Sequence, residues 1–319
     1  MNAPSRDMLI AAPDRWDEAC FSVPAVRALI ASGLGIGMIC QEEQVNFWKT
    51  IANLQVLDFP AKSSTRAIAY GLSPNWKAAL IWQPGFATHA IKAAGIPQRL
   101  GPAHPKLAKI LTQTTFISSA PLDHRVRFYL SAVEELGIKT RNPQFFAPAG
   151  TIDPNTPPLV LLCPESDFGP SHEWPLDRWI ELTAKLVANQ TPVRIASLRG
   201  NNGPANALAE ALHLGEHLLN LADLGTALPQ LHQQPVTVAV DGSLPHLASH
   251  AGSTCVTLFG PNNPAWKRPL GTRHIVVRKH AECAPCLLPK CPMDLRCQNE
   301  LDVERVWNAV APLVNRGTR

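Results

Sequence analysis

The sequence predicts an α/β protein built as two similar halves, each a mostly parallel sheet covered by helices. Three observations carry that prediction. The chain has 319 residues, which at ~100–200 per domain makes room for two. Short apolar runs alternate with helical patterns in both halves, the mark of repeated strand–helix–strand units. Between the halves, residues 142–158 (NPQFFAPAGTIDPNTPP) hold five prolines and no helical period, which suits a linker. The expected domains are 1–154 and 155–319, with a cleft between them where ligands commonly bind.

In the first half, residues 8–12 read as a strand, followed by a loop and a helix over 24–32. Residues 35–40 form a second strand, and a helix follows near 42–52. Residues 54–59 and 78–82 are further strands, while 87–94 and 123–136 have helical patterns, the latter stopping at Gly137. After the proline-rich stretch, 159–163 is a continuous apolar run, as expected of a strand covered on both faces. Residues 176–189 form an amphipathic helix with Pro175 just before its start. Residues 193–198, 218–221, 236–240 and 254–259 complete the strands, and 303–314 is a terminal helix.

Composition excludes several functions. The 29 basic and 25 acidic residues give a net charge of +4, and charged residues make up 17%, too few for a dedicated nucleic-acid binder. The hydrophobic share of 45% is too large for a disordered chain. No apolar stretch approaches the ~20 residues needed to span a bilayer. Residues 1–18 meet acidic side chains before any signal-like apolar run, so a cytoplasmic protein is expected. The 30 prolines are nearly double the usual share of ~5%.

Of the 8 cysteines, Cys163 and Cys255 lie in apolar runs, where cysteine behaves as a small core hydrophobe. Cys283, Cys286, Cys291 and Cys297 instead cluster in the spacing C-x2-C-x4-C-x5-C. Four thiolates can hold structural zinc or iron tetrahedrally, or remain free or paired thiols that shape the loop. The neighbouring Leu287, Leu288 and Pro289 point to packing rather than catalysis.

The segment from Val238 to Pro264, VAVDGSLPHLASHAGSTCVTLFGPNNP, carries the main site. A buried strand ends at Asp241, a Gly242–Ser243 turn follows, and a helix begins near Ser243. The free N–H groups and positive dipole end of such a helix suit a phosphate, with His246 one turn in. The same residues suit plain helix capping by Ser243 and an ordinary surface histidine. The next strand ends at Phe259–Gly260–Pro261, a second loop at the same sheet edge. A third loop, 166–172, runs from Ser166 to His172 and is placed to close over a ligand at the Asp241 turn. Trp174 and Trp179 read as packing residues. Lys92, Arg99, Lys106 and Lys109 lie close in sequence and read as a solvated face rather than a phosphate patch.

Together these motifs resemble glycosyltransferase family 9, the ADP-heptose:lipopolysaccharide heptosyltransferases, and in style the heptosyltransferase II branch. FGPSHEWP is similar to the family's FGPAKRWP-type segment, with Trp174 and Pro175 matching. DGSLPHLASHAGSTCVTLFGPNNP is similar to its D-[ST]-G-x-x-H-x-A-x-x-x-G…ALFGP-[ST]-x-P signature. WDEACFSVPAVRAL, residues 16–29, is similar to its G-D-x-x-x-[ST]-x-P-A-[LV]-R-A-L segment. The resemblance implies the GT-B fold, two Rossmann-like domains facing across a cleft, with the acceptor in the N-terminal half and the nucleotide sugar in the C-terminal half. It implies inverting, metal-independent transfer of a heptose from ADP-heptose, or a related nucleotide sugar, to a lipid-linked lipopolysaccharide core acceptor. No cofactor would be required. The enzyme would be cytoplasmic, touching the inner face of the inner membrane at most peripherally, with no nucleic-acid partner.

By the same resemblance Asp241, Gly242, Ser243 and His246 contact the nucleotide and diphosphate, with Ser166 and Gly260 in the flanking loops. Glu18 stands at the position of the family's catalytic aspartate, with Asp17 in place of the preceding glycine. His172 stands where the family has a lysine that meets the diphosphate, the Ser-Gly order is inverted to Gly242–Ser243, and Asn262 replaces a Thr or Ser. These departures leave open a weakened or non-catalytic nucleotide-sugar-binding paralogue, or another GT-B reaction such as epimerisation.

Overall fold

The structure is a computed structural model that describes residues 6–72, 75–117, 120, 123–153 and 155–315. The chain divides into two compact units between Ala147 and Pro148, upstream of the break expected at 154/155. The reason lies in the backbone contacts. The Arg27 guanidinium donates to the carbonyls of Phe145, at 2.9 Å, and Ala147, which ties that stretch to the first unit. Ala149 N–H donates to the His250 carbonyl at 2.7 Å, which ties the next residues to the second. Proline content marks the segment but not the residue where contacts change hands.

The first unit is a six-stranded parallel sheet of β1 (Met8–Ala11), β2 (Ile36–Gln41), β3 (Gln55–Phe59), β4 (Ala78–Leu80), β5 (Gln98–Pro102) and β6 (Gln113–Thr115), ordered β3-β2-β1-β4-β5-β6. The second contains β7 (Val160–Cys163), β8 (Val193–Ser197), β9 (Leu218–Asn220), β10 (Val236–Val240), β11 (Thr254–Phe259) and β12 (Ile275–Arg278), ordered β12-β11-β10-β7-β8-β9. Counted within each unit, both sheets have the doubly wound order 3-2-1-4-5-6. The predicted α/β class with two Rossmann-like units holds. Chain connections reverse direction between β1 and β4 and between β7 and β10. At such a reversal the loops after the two strands diverge and leave a crevice at the strands' carboxyl ends.

The central strands are apolar on both faces, and β7 (VLLC) and β10 (VTVAV) are buried throughout. In the second unit they pack against the Leu176–Ala188 and Val303–Val314 helices through Trp179, Leu182, Val306 and Val310. Trp174 and Trp179 are packing residues, as expected: their rings meet edge to face at 5.3 Å, and Trp174 Nε1 donates to the Leu301 carbonyl at 2.9 Å.

The largest departure is the first helix, which spans Trp16–Ala31 rather than 24–32. Pro24 invites a start at that point, yet it lies inside the helix. It has no N–H for the Cys20 carbonyl, and tertiary burial of almost the entire helix outweighs that loss. Strands β5, β6 and β12 escape the sequence reading because QRLGP, QTT and IVVR are short or polar. The 42–52 helix is reduced to a 3₁₀ turn and one short helix, Val45–Trp48.

Candidate functional site

The site expected in the second unit assembles at the β7/β10 reversal. β10 delivers Asp241, Gly242 and Ser243 directly before the Leu244–Ala251 helix. The loop after β7 delivers Ser166, Asp167, Phe168 and His172, and the loop after β11 delivers Gly260 and Asn262. Ser166 Oγ donates to the Asp241 carbonyl at 2.7 Å and pins the first two loops together. His172 Nδ1 lies 3.1 Å from Asp241 Oδ2, and Asn262 Nδ2 donates to the same oxygen at 2.5 Å. Asp241 is completely buried, and His172 and His246 are nearly so. The sequence thus places Ser166, His172, Asp241, Gly242 and Ser243 in one constellation, with His246 on the first turn of the adjoining helix.

Burial pushes the Asp241 carboxyl pKa up, opposed by the hydrogen bond and charge of His172, by Asn262 and by the charge of Lys267. Its Oδ1 has no hydrogen-bond partner among the described residues. A buried carboxylate oxygen without a donor is costly, and a ligand hydroxyl or N–H would relieve it. That is the feature of this constellation that points most directly to a ligand.

Ser243 behaves differently from the capping residue expected. Its hydroxyl makes no cap bond within its own helix and donates instead to Asp167 Oδ2 at 2.6 Å, while its N–H donates to Asp167 Oδ1 at 2.7 Å. A carboxylate from the neighbouring loop therefore already meets a donor that the sequence suggested for phosphate. Arg199 is likewise engaged, pairing with Glu173 and reaching the Ser166 carbonyl at 3.4 Å. Glu165, buried beside the loop, accepts from the N–H groups of Leu198, Arg199 and Ala205 at 2.6, 2.9 and 3.0 Å and holds the edge after β8.

The loop carrying Cys283, Cys286, Cys291 and Cys297 braces this constellation. Pro289 O accepts from Ser171 N–H at 3.2 Å, and Leu288 O accepts from Ser171 Oγ. Leu287 N–H donates to the Pro261 carbonyl at 3.1 Å. Gln298, fully buried, donates from Nε2 to the His172 carbonyl at 2.9 Å. Two glycines make the approach feasible. Gly169 has φ +115°, and a Cβ there would stand 2.4 Å from Pro289 O; at Gly260 it would meet Gln298 Nε2 at 2.4 Å. Gly260 thus lets the brace close. Gln298→Ala is expected to lower the melting temperature by several degrees, since losing a buried hydrogen bond costs ~1–2 kcal/mol, or ~2–4 °C per kcal/mol at this size. Differential scanning fluorimetry beside wild type measures it.

Burial raises the Cys297 thiol pKa to about 11, and the charges of Cys283, Cys286 and Cys291 push it the same way. The donor set is chemically that of a soft tetrahedral ion. As placed, however, no group of three or more His, Cys, Asp or Glu side chains among the described residues is arranged to hold a metal.

Asp17 and Glu18 occupy the corresponding edge of the first unit, in the first turn of the helix after β1. Both are buried. Arg15 Nε donates to Asp17 Oδ1 at 3.1 Å. Arg125 Nε donates to both Glu18 oxygens, at 3.0 and 2.8 Å, and Tyr129 OH donates to Oε2 at 2.5 Å. Glu18 is therefore held in one orientation by two partners more than a hundred residues away. A cavity of about 1040 Å³ in this unit lies at the far end of the same helix, around Ala28, Ser32, Glu134 and Arg141. At 1.5 Å per residue that is roughly 15 Å along the axis from Glu18. In the nearby basic cluster, Lys92 donates to Lys109 O at 2.7 Å and Arg99 to Ile110 O at 2.6 Å, so both serve the local backbone.

Sequence reasoning missed Asp167, Lys267 and Gln298. Asp167 and Ser243 lie 76 positions apart, and Gln298 and His172 lie 126 apart. No periodicity connects residues at such distances. Lys267 was legible as a cation near the GPNNP loop, but its relation to Asp241 was not.

A family model described as glycosyltransferase family 9 (heptosyltransferase) matches residues 128–296, just over half of the chain. The lipooligosaccharide heptosyltransferase 2 of Haemophilus influenzae is 25% identical over 126 residues, covering 38% of this chain and 36% of that protein. The match thus spans little more than a third of the curated relative's length. Among solved structures, E. coli ADP-heptose lipopolysaccharide heptosyltransferase II has a TM-score of 0.77 at 19% identity, over 97% of this chain and 98% of that one. The dodecameric iron-containing heptosyltransferase TibC of enterotoxigenic E. coli, solved with ADP-D-β-D-heptose, has a TM-score of 0.58 at 14% identity, covering 98% of this chain and 77% of that one. These likenesses bear out the α/β GT-B class expected above.

Proposed function

Because the chain belongs to glycosyltransferase family 9, we propose that it transfers a heptose from ADP-heptose to a lipopolysaccharide core acceptor, inverting the anomeric centre. The observation that carries this reading is the buried Asp241 carboxylate at the β7/β10 reversal, held by His172 and Asn262, with Oδ1 lacking a hydrogen-bond partner among the described residues. Heptosyltransferase structures such as the TibC complex with ADP-D-β-D-heptose support a nucleotide sugar as the ligand class. In the proposed reaction an acceptor hydroxyl attacks the anomeric carbon opposite the leaving group. Its proton passes to a carboxylate, and the electron pair of the breaking C–O bond leaves on the diphosphate. Glu18 is the proposed base, aimed by Arg125 and Tyr129, with Asp17 beside it. Asp241, Gly242, Ser243, His246, Ser166, His172 and Gly260 form the donor site, where fixed dipoles and cationic groups stabilise the leaving charge without a cofactor.

A lipid-linked acceptor is compatible with a cytoplasmic protein that touches the inner membrane face peripherally. No helix among the described residues is long and apolar enough to cross a membrane. Calorimetric titration with ADP and ADP-heptose tests the donor assignment: binding below millimolar concentration is expected, and no binding of either would refute it.

A second reading is a sugar-nucleotide-binding paralogue without turnover. It is favoured by the Arg125 and Tyr129 contacts on Glu18, which already engage the proposed base. Ligand binding without product would mark that outcome. The iron held by TibC, a protein of the same fold, together with the close sequence spacing of Cys283, Cys286, Cys291 and Cys297, supports a structural iron or zinc on the cysteine loop. Elemental analysis of purified protein should give close to one equivalent of metal, lost in Cys283→Ser/Cys286→Ser. A metal-free, fully folded wild type would assign the cysteines to packing alone.

A further inference from the structure

We propose that the outer surface of one helical layer of the first unit, built by residues 59–122, is a docking face for an anionic lipid bilayer. It gives a place on the molecule to the peripheral membrane contact considered above. Its test needs neither donor nor acceptor, so the two readings can fail separately. Residues 59–122 contain seven Lys or Arg and no Asp or Glu. The rest of the chain has 22 basic residues against 25 acidic ones, so the net positive charge of the protein resides wholly in this segment.

The fold gathers this charge on one layer. The helices Thr65–Gly71 and Thr88–Ala93 and the 3₁₀ turn Pro105–Leu107 share one core against the first sheet, where Ile68, Ile91 and Leu107 meet Leu9, Ile39 and Ala79. The two helices pack on each other, and Lys92 Nζ donates to the Lys109 carbonyl at 2.7 Å, which joins the second helix to the stretch after the turn. With the apolar side chains turned inward, Lys62, Arg66, Lys92, Lys106 and Lys109 are left exposed. Among the described residues, Lys77 alone of the seven has an ion pair, with Asp7 at 2.6 Å. The carbonyl bonds of Lys92 and Arg99 leave their charges in place. Charge by itself would suit any polyanion, and the exposed aromatic residues narrow the partner. Tyr70 is 90% exposed and follows Arg66 by one helical turn, while Phe116, directly after β6, is 69% exposed. Aromatic rings settle at the headgroup level of a bilayer, where Lys and Arg meet anionic lipids.

The test measures sedimentation of the purified full chain with vesicles free of lipopolysaccharide. Phosphatidylcholine vesicles are compared with vesicles holding about one-third phosphatidylglycerol. The wild type is expected to bind the anionic vesicles and ignore the neutral ones. Release is expected in about 0.5 M NaCl, where screening shortens the reach of surface charge to a few Å. Lys62→Gln/Arg66→Gln and Lys106→Gln/Lys109→Gln are each expected to weaken binding about tenfold or more, and Tyr70→Ser severalfold. Lys139→Gln/Arg141→Gln removes the same charge from exposed positions outside the segment and is expected to change binding by less than roughly twofold. Melting curves check that each variant is folded. No binding to anionic vesicles, equal binding to neutral ones, or equal losses in all three double variants would overturn the proposal. Tighter binding to duplex DNA than to anionic vesicles at the same ionic strength would overturn it as well.

Discussion

Asp241→Asn is expected to weaken ADP binding by about 10–100-fold, the effect of removing one charge-assisted hydrogen bond of about 1.5–3 kcal/mol. The substitution keeps the shape of the side chain, and its amide oxygen can still accept from Asn262. The same variant is expected to be at least as stable as wild type at neutral pH. Burial raises the Asp241 carboxyl pKa above its unfolded value of 3.8, so the native state holds that proton more tightly than the unfolded chain does. The carboxyl's contribution to stability is therefore most favourable at low pH and is lost as pH rises through the folded value. At pH 7 the ionised group is a net cost, and asparagine removes it. Urea midpoints from pH 4 to pH 8, beside calorimetry with ADP, would read both effects. Opposite signs for affinity and stability would identify a residue kept for binding rather than for folding.

Glu18→Gln is expected to reduce turnover by about 10²–10⁴-fold while leaving ADP affinity unchanged, since a positioned general base contributes on that order. Glutamine cannot accept the acceptor's proton, yet it can still accept hydrogen bonds from Arg125 and Tyr129, the two groups that orient Glu18. Asp17→Asn should retain most activity, because Asp17 is held by Arg15. Initial rates for the two variants under saturating donor separate the candidates. Full activity in both would remove the carboxylate-base mechanism.

Much of this architecture was legible in the sequence, for physical reasons that differ by element. Val236–Val240 and Thr254–Phe259 are uninterrupted apolar or β-branched runs, so their bounds agree with the structure. Val303–Val314 is equally clear, with Asp302 accepting from Arg305 N–H at 2.7 Å as its cap. The first helix was misread because Pro24 is a good starting residue by local rules, and only burial explains why the helix continues through it. The Asp241–Gly242–Ser243 turn was visible as a strand–turn–helix junction. The partner that occupies the Ser243 donors, Asp167, was not, since only the β7–β10 pairing brings the two loops together. The brace from Gln298 to His172 was hidden for the same reason, and the cysteines on that loop stand out by their spacing rather than by what they support.

The central claim is heptosyl transfer from a nucleotide donor, and the most direct measurement follows ADP release and acceptor mass together. Purified protein would be incubated with ADP-heptose and a heptose-deficient lipopolysaccharide core. ADP and heptosylated core should appear in equal amounts, with neither formed by Glu18→Gln at a comparable rate. Donor bound but left intact, or converted to another nucleotide sugar with no change in the core, would contradict the account.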